Sequence, residues 1–156
     1  FLESFNEREF QQSTGLKVRF VQDTHSKSFQ GVLRGLHYQI KNPQGKLVRV
    51  TQGAVFDVAV DMRRSSPNFG RWVGVELTAK NMLQLWIPAG FAHGFAVISE
   101  TAEFQYKTTD YWYPDYERSL LWCDPDVGVE WPEGYEPKLA RKDAEGQLLA
   151  EAETFA

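Results

Sequence analysis

Residues Lys46 to Asp61 read KLVRVTQGAVFDVAVD, two valine-rich runs parted by Gly53. Short runs dominated by β-branched side chains and ended by glycine predict strands, here Lys46 to Thr51 and Ala54 to Asp61. The pattern recurs downstream at Trp72 to Thr78, Met82 to Ile87, Phe95 to Ile98 and Ala102 to Thr108. Upstream, Leu16 to Gln22 alternates apolar with polar residues. Gly31, Gly35, Pro43, Gly45, Pro67, Gly70, Pro88 and Gly90 punctuate the junctions, so no useful helical window remains between residues 16 and 108. Helix is expected only as short peripheral pieces, near Phe5 to Gln11 and near Lys138 to Glu151, where Ala, Leu, Glu and Lys are frequent. Many short strands with regular turns predict an all-β sandwich or barrel, with a jelly roll as the leading expectation.

The 156 residues are 42% hydrophobic and 24% charged, enough for a full core in one domain spanning residues 1 to 156 without disulfides or structural zinc. These proportions exclude disorder and collagen. No repeat, low-complexity tract or Ser/Gly linker divides the chain, and the polar tail after Asp143 is expected to pack loosely. With 11 Phe, 6 Tyr and 5 Trp, aromatics exceed what such a core requires, and some are expected to line a pocket. A net charge of −4 gives no footprint for bulk nucleic-acid binding, so an anionic ligand must be held by locally placed cations. The uncharged stretch from Asn81 to Ser99 contains Pro88, Gly90 and Gly94 and does not read as a membrane span. No basic, apolar signal opens the chain and the single Cys123 forms no intrachain disulfide, so a cytoplasmic location is expected.

Two of the three histidines sit beside glycines, in Gly35-Leu36-His37 and Ala92-His93-Gly94, segments that read as strand ends facing a cavity; His25 reads as a surface-loop residue. A lone imidazole is commonly a hydrogen-bonded structural group, but two in matching settings point to a shared site. Pro88-Ala89-Gly90-Phe91-Ala92-His93 resembles the second cupin motif, Pro-x-Gly-x-x-His, which usually serves a metal. The His-x-His and Glu of the first cupin motif find only His37-Tyr38-Gln39 to answer them. A stable transition-metal site wants about three protein ligands, so a metal-free double-stranded β-helix is expected, with its histidines available for acid/base work. Imidazole titrates near neutral pH without large tuning, which suits His37 as a general base. Such a base works best with a carboxylate on its second nitrogen, though spacing singles out none. Arg34 and Lys46 flank His37 as candidate anion contacts. Each is otherwise a solvated surface charge, but Arg34 stands in an apolar segment where a free guanidinium would be costly.

The nonapeptide Gly31-Val32-Leu33-Arg34-Gly35-Leu36-His37-Tyr38-Gln39 resembles the dTDP-4-dehydrorhamnose 3,5-epimerase family of sugar-nucleotide epimerases. The likeness continues through Pro43 to Val48, Asp57 to Asp61, Ile87 to Phe95, Tyr106 to Asp110 and Asp124-Pro125, effectively the whole chain. The resemblance implies a cofactor-free, homodimeric cupin acting on dTDP-4-dehydro-6-deoxy-D-glucose. Carbons 3 and 5, on either side of the 4-keto group, are inverted to give dTDP-4-dehydro-L-rhamnose. By motif it implies His37 as general base, Asp143 as its carboxylate partner, Tyr106 as the acid on the opposite face and Lys46 as the cation beside the ketone oxygen. Arg34 and His93 then resemble diphosphate and sugar contacts, Glu3, Gln22, Glu117 and Lys142 nucleotide or substrate contacts, and Phe1 and Trp112 aromatics that stack on thymine. The chain departs from the family pattern at Thr24, a substrate-binding position more often Asn, and at Trp112, more often Tyr. An Arg-Gly pair usually precedes the Phe that Phe1 matches, so the N-terminus is expected to be truncated. Three rivals share most of these motifs: a mono-epimerase acting at carbon 3 or 5 alone, a ketoisomerase on the same fold, and a cupin that binds a sugar nucleotide without turnover.

Overall fold

The computed structural model describes residues 1–156. Its strands are β1 (Gln22–Phe29), β2 (Leu33–Gln39), β3 (Lys46–Gln52), β4 (Ala54–Asp61), β5 (Trp72–Thr78), β6 (Gln84–Ile87), β7 (Phe91–Val97), β8 (Thr101–Thr108) and β9 (Glu117–Ser119), with helices α1 (Glu7–Thr14) and α2 (Arg141–Ala144). They pair as two antiparallel sheets, β1-β8-β3-β6 and β5-β4-β7-β2-β9, the two layers of a cupin jelly roll. Val48 and Val50 of β3 and Ala102 and Phe104 of β8 meet Val55 and Ala59 of β4 and Phe95 and Val97 of β7 to form the core between the layers. At other inward positions of the same strands the side chains turn polar, with Lys46, Tyr106, Asp57 and His93, and there a cavity replaces the core.

A second core covers the outer face of the five-stranded sheet. Leu36 and Tyr38 of β2, Val58 and Val60 of β4 and Ala92 of β7 pack with Met62, Leu120 and Ala152, flanked by Leu149 and Phe155. β4 is therefore buried on both faces, which is why its sequence is nearly continuous in apolar residues rather than alternating. The tail expected to pack loosely instead closes this second core. Phe155 bridges to Arg63, Tyr38 donates its hydroxyl to the Glu153 carbonyl at 2.6 Å, and the Leu149 amide donates to Asp124 at 2.6 Å.

Three other expectations are corrected. Leu16 to Val21 forms no strand; Phe20 joins Phe5, Phe10 and Trp86 in an aromatic cluster, and the first strand begins at Gln22. β2, broken by Gly35, and the short β9 were not expected as strands, so His37 and His93 lie within strands rather than at strand ends. The C-terminal helix is a single turn. After it Gly146 passes so close to Leu121 that a β-carbon there would sit 2.9 Å from its backbone, and the chain leaves the helix to make that crossing. No helix is long and apolar enough to cross a membrane.

Candidate active site

Beside the inter-sheet core lies a cavity of about 360 Å³, in the range of small-molecule sites. The five-stranded sheet lines it with Arg34 and His37 from β2, His93 from β7 and Glu117 from β9. The four-stranded sheet supplies Gln22 and Thr24 from β1, Lys46 from β3 and Tyr106 from β8, and Lys142 of α2 and Trp112 complete the wall. A larger groove of about 420 Å³ on the other side of β1 and β8 holds His25, which is on a strand rather than in a loop. Its charges are largely matched, His25 with Glu103 and Lys107 with Asp23, both at 3.0 Å.

Local backbone geometry brings the two histidines together. β2 and β7 pair as Leu33 with Ala96 and Arg34 with Phe95, then slip by a bulge to pair His37 with His93. At the bulge Gly35 has φ +118°, and a β-carbon on it would lie 2.6 Å from Gly94 Cα, so this approach requires glycine on both strands.

His37 donates its Nε2–H to Asp143 Oδ1 at 2.5 Å, and Asp143 Oδ2 accepts the Gly35 amide at 3.4 Å. That bond fixes the tautomer and leaves Nδ1 as the basic nitrogen. Burial alone would raise the Asp143 carboxyl. The His37 hydrogen bond and charge, the Gly35 amide and nearby Lys142 outweigh it and hold the group below the usual carboxylate range. Its neighbour Lys142 pairs with Glu117 at 3.0 Å.

Behind the cavity, His93 donates Nε2–H to both oxygens of Asp57, at 2.9 and 3.0 Å, and stacks on Phe104. Burial pushes His93 down and Asp57 up, each partly offset by the other. Lys46 keeps some surface in the cavity, yet desolvation lowers its ammonium to about 8 despite Glu117 and Asp57, and it sits 5.9 Å from the centre of the Tyr106 ring. Desolvation raises the Tyr106 phenol, with Glu117 reinforcing that effect and Thr24, Arg34 and Lys142 opposing it.

Most residues singled out in the sequence meet here, with three exceptions in detail. Arg34 is exposed at the cavity rather than desolvated, its Nε donating to Ser28 at 3.1 Å, because β2 turns this side chain away from the apolar face. Phe1 is fully exposed, and Glu3 accepts from Asn6 at 2.9 Å; neither lines the cavity. Asp57 and Gln39 were not foreseen. Gln39 donates to the carbonyls of Asn42 and Tyr111 at 2.7 and 2.9 Å and accepts the Tyr113 amide at 2.8 Å, pinning the loop that carries Trp112. The available signal was polarity out of place: Asp57 interrupts an apolar run, and Gln39 ends one. No three His, Cys, Asp or Glu side chains gather to hold a metal ion.

An imidazole on one sheet, with a phenol and an ammonium on the other, can take a proton from one face of a carbon acid and return one to the opposite face. A family model described as dTDP-4-dehydrorhamnose 3,5-epimerase matches residues 1–151. The chain belongs to this family. The dTDP-4-dehydrorhamnose 3,5-epimerase of Pseudomonas aeruginosa is 59% identical over 99% of this chain and 86% of its own. That of Salmonella typhimurium is 58% identical over 97% and 84%. The crystal structure of a 3,5-epimerase from Legionella pneumophila in complex with dTDP-4-keto-L-rhamnose has a TM-score of 0.96 at 52% identity, covering 98% of this chain and 81% of that one. The epimerase family thus accounts for the whole jelly roll.

Proposed function

We propose that the chain inverts carbons 3 and 5 of dTDP-4-dehydro-6-deoxy-D-glucose to give dTDP-4-dehydro-L-rhamnose, a step of deoxysugar formation, without metal or cofactor. The observation that carries this reading is His37 of one sheet, hydrogen-bonded from behind to Asp143 of α2, sharing a single cavity with Lys46 and Tyr106 of the other sheet. The 4-keto group acidifies the hydrogens on both neighbouring carbons. His37 Nδ1 removes one of them, and the C–H electron pair becomes the enolate. The Lys46 ammonium offsets the charge on the enolate oxygen, an effect of several kcal/mol where water is excluded. Tyr106, kept protonated by burial, donates to the opposite face and the carbon is inverted. Once solvent has taken the proton from His37 and returned one to Tyr106, a shift of the ring presents the second carbon to the same groups.

In the substrate complex Arg34 contacts the diphosphate and His93 the sugar; Gln22, Thr24, Glu117 and Lys142 hold nucleotide or substrate, and Trp112 stacks on thymine. Phe1 and Glu3 lie outside the cavity of their own protomer, so a nucleotide role for them requires a second copy, in keeping with a homodimer. The exposed free thiol of Cys123 suits a reducing, cytoplasmic compartment.

His37→Asn tests the base directly, because asparagine replaces the hydrogen bond but cannot take a proton at neutral pH. Solvent deuterium incorporation into the 4-keto sugar should fall by about a thousandfold or more in a folded mutant. Wild-type exchange by that mutant would remove His37 from the base role.

A further inference from the structure

Asp57 has no exposed surface and stands in the apolar run Val55 to Val60 of β4. A carboxylate there costs the fold free energy unless it is paired, and replacing it by an apolar side chain would often be neutral or stabilising. Both of its oxygens are occupied by the His93 Nε2–H. Charged and titratable groups act on this pair from two strands, Lys46 of β3 on both Asp57 and His93 and His37 of β2 on His93, while β8 packs the apolar Phe104 against His93 and Glu117 of β9 acts in turn on Lys46.

We propose that Asp57 is a positioning residue of the reaction, the fixed counter-charge that keeps His93 in one tautomer and Lys46 as an ammonium. The inference rests on the function proposed above, since it takes Lys46 as the partner of the enolate. Two consequences follow for ligand chemistry. With its Nε2–H committed to Asp57, His93 offers the cavity only the acceptor Nδ1, and burial disfavours its cationic form. Its contact must therefore donate a hydrogen bond, which a sugar hydroxyl does and an ionised diphosphate oxygen does not. For Lys46, Glu117 is the larger counter-charge but is shared with Lys142 at the cavity, whereas Asp57, the smaller one, is fully buried on His93 and adds a share that does not depend on groups at the cavity mouth.

Asp57→Asn tests this, because asparagine keeps the shape and can still accept from His93 while losing the charge. The variant should melt cooperatively and bind dTDP as the wild type does, with kcat reduced about tenfold or more and KM little changed. The alkaline limb of its pH–rate profile should move down by about one unit. Wild-type kcat with an unshifted limb would overturn the inference. Should Asp57→Asn fail to fold, nitrogen-15 histidine spectra of the wild type decide: His93 must appear as the neutral Nε2–H tautomer throughout the working pH range, and an imidazolium or Nδ1–H form would contradict the proposal. Absence of deuterium exchange in the wild type would instead overturn the functional reading, and the Lys46 half of this inference with it. Normal wild-type exchange beside an unaffected Asp57→Asn overturns this inference alone.

Discussion

An ammonium group in a crowded cavity holds its proton less firmly than one in water, and desolvation brings Lys46 to about 8 against the opposing pull of Glu117 and Asp57. Since the enolate needs a cation beside it, kcat/KM should fall as pH rises through about 8, and a pH–rate profile measures this. Unfolding does not account for such a loss. Between that folded value and the ordinary lysine range the unfolded chain binds more protons than the folded one, so this group's contribution to stability rises with pH across the same window. A thermal melt at pH 9 that stays cooperative while activity drops separates the two effects; activity constant through that window would show that the Lys46 charge is not needed. At this scale motif resemblance singled out His37, its partner Asp143, Lys46 and Tyr106, whereas spacing alone pointed to no carboxylate and the Asp57–His93 pair went unread. Asp143 lies 106 positions from His37 and Asp57 lies 36 from His93, and only the folded chain brings them together.

Among the elements, β4, β5 and β8 were legible because their residues alternate or are buried on both faces. β1 was not. Its inward residues Gln22, Thr24 and Ser26 face a polar cavity and its outward residues Asp23, His25 and Lys27 face solvent, so no hydrophobic period marks the strand. A strand that lines a polar site hides from a reading based on hydrophobicity. The loop before β9 was equally hidden, since its order comes from the buried Gln39 side chain rather than from its own residues. Gln39→Ala leaves the Tyr113 amide and two carbonyls without their partner, at a cost of about 1–3 kcal/mol. The expected outcome is a lower melting temperature and a raised substrate KM with kcat largely kept, because Trp112 loses its position while the proton-transfer groups do not. An unchanged KM would mean the loop is held by other contacts.

For the molecule as a whole, the jelly roll needs its C-terminal segment. Ala152 is buried in the core on the outer face of the five-stranded sheet and the partly buried Leu149 and Phe155 pack against it, each of these two large side chains worth less than the roughly 1.5–3 kcal/mol of full burial. The tail was expected to pack loosely because its apolar residues are mixed with glutamates and show no helical or strand period, and their value depends on a sheet face that only tertiary structure supplies. Deleting residues 148 to 156 should lower stability by several kcal/mol, a large part of what a domain of this size holds in reserve, and expose an aggregation-prone face. A truncated chain that melts at the wild-type temperature would contradict this. The double inversion is tested most directly on the sugar itself. Wild-type enzyme is run to full turnover of dTDP-4-dehydro-6-deoxy-D-glucose in deuterated buffer containing a strong chelator, and the product is read by NMR. Deuterium is expected at both carbon 3 and carbon 5, with the L-rhamno configuration; deuterium at one carbon alone, or at neither, would contradict inversion at both.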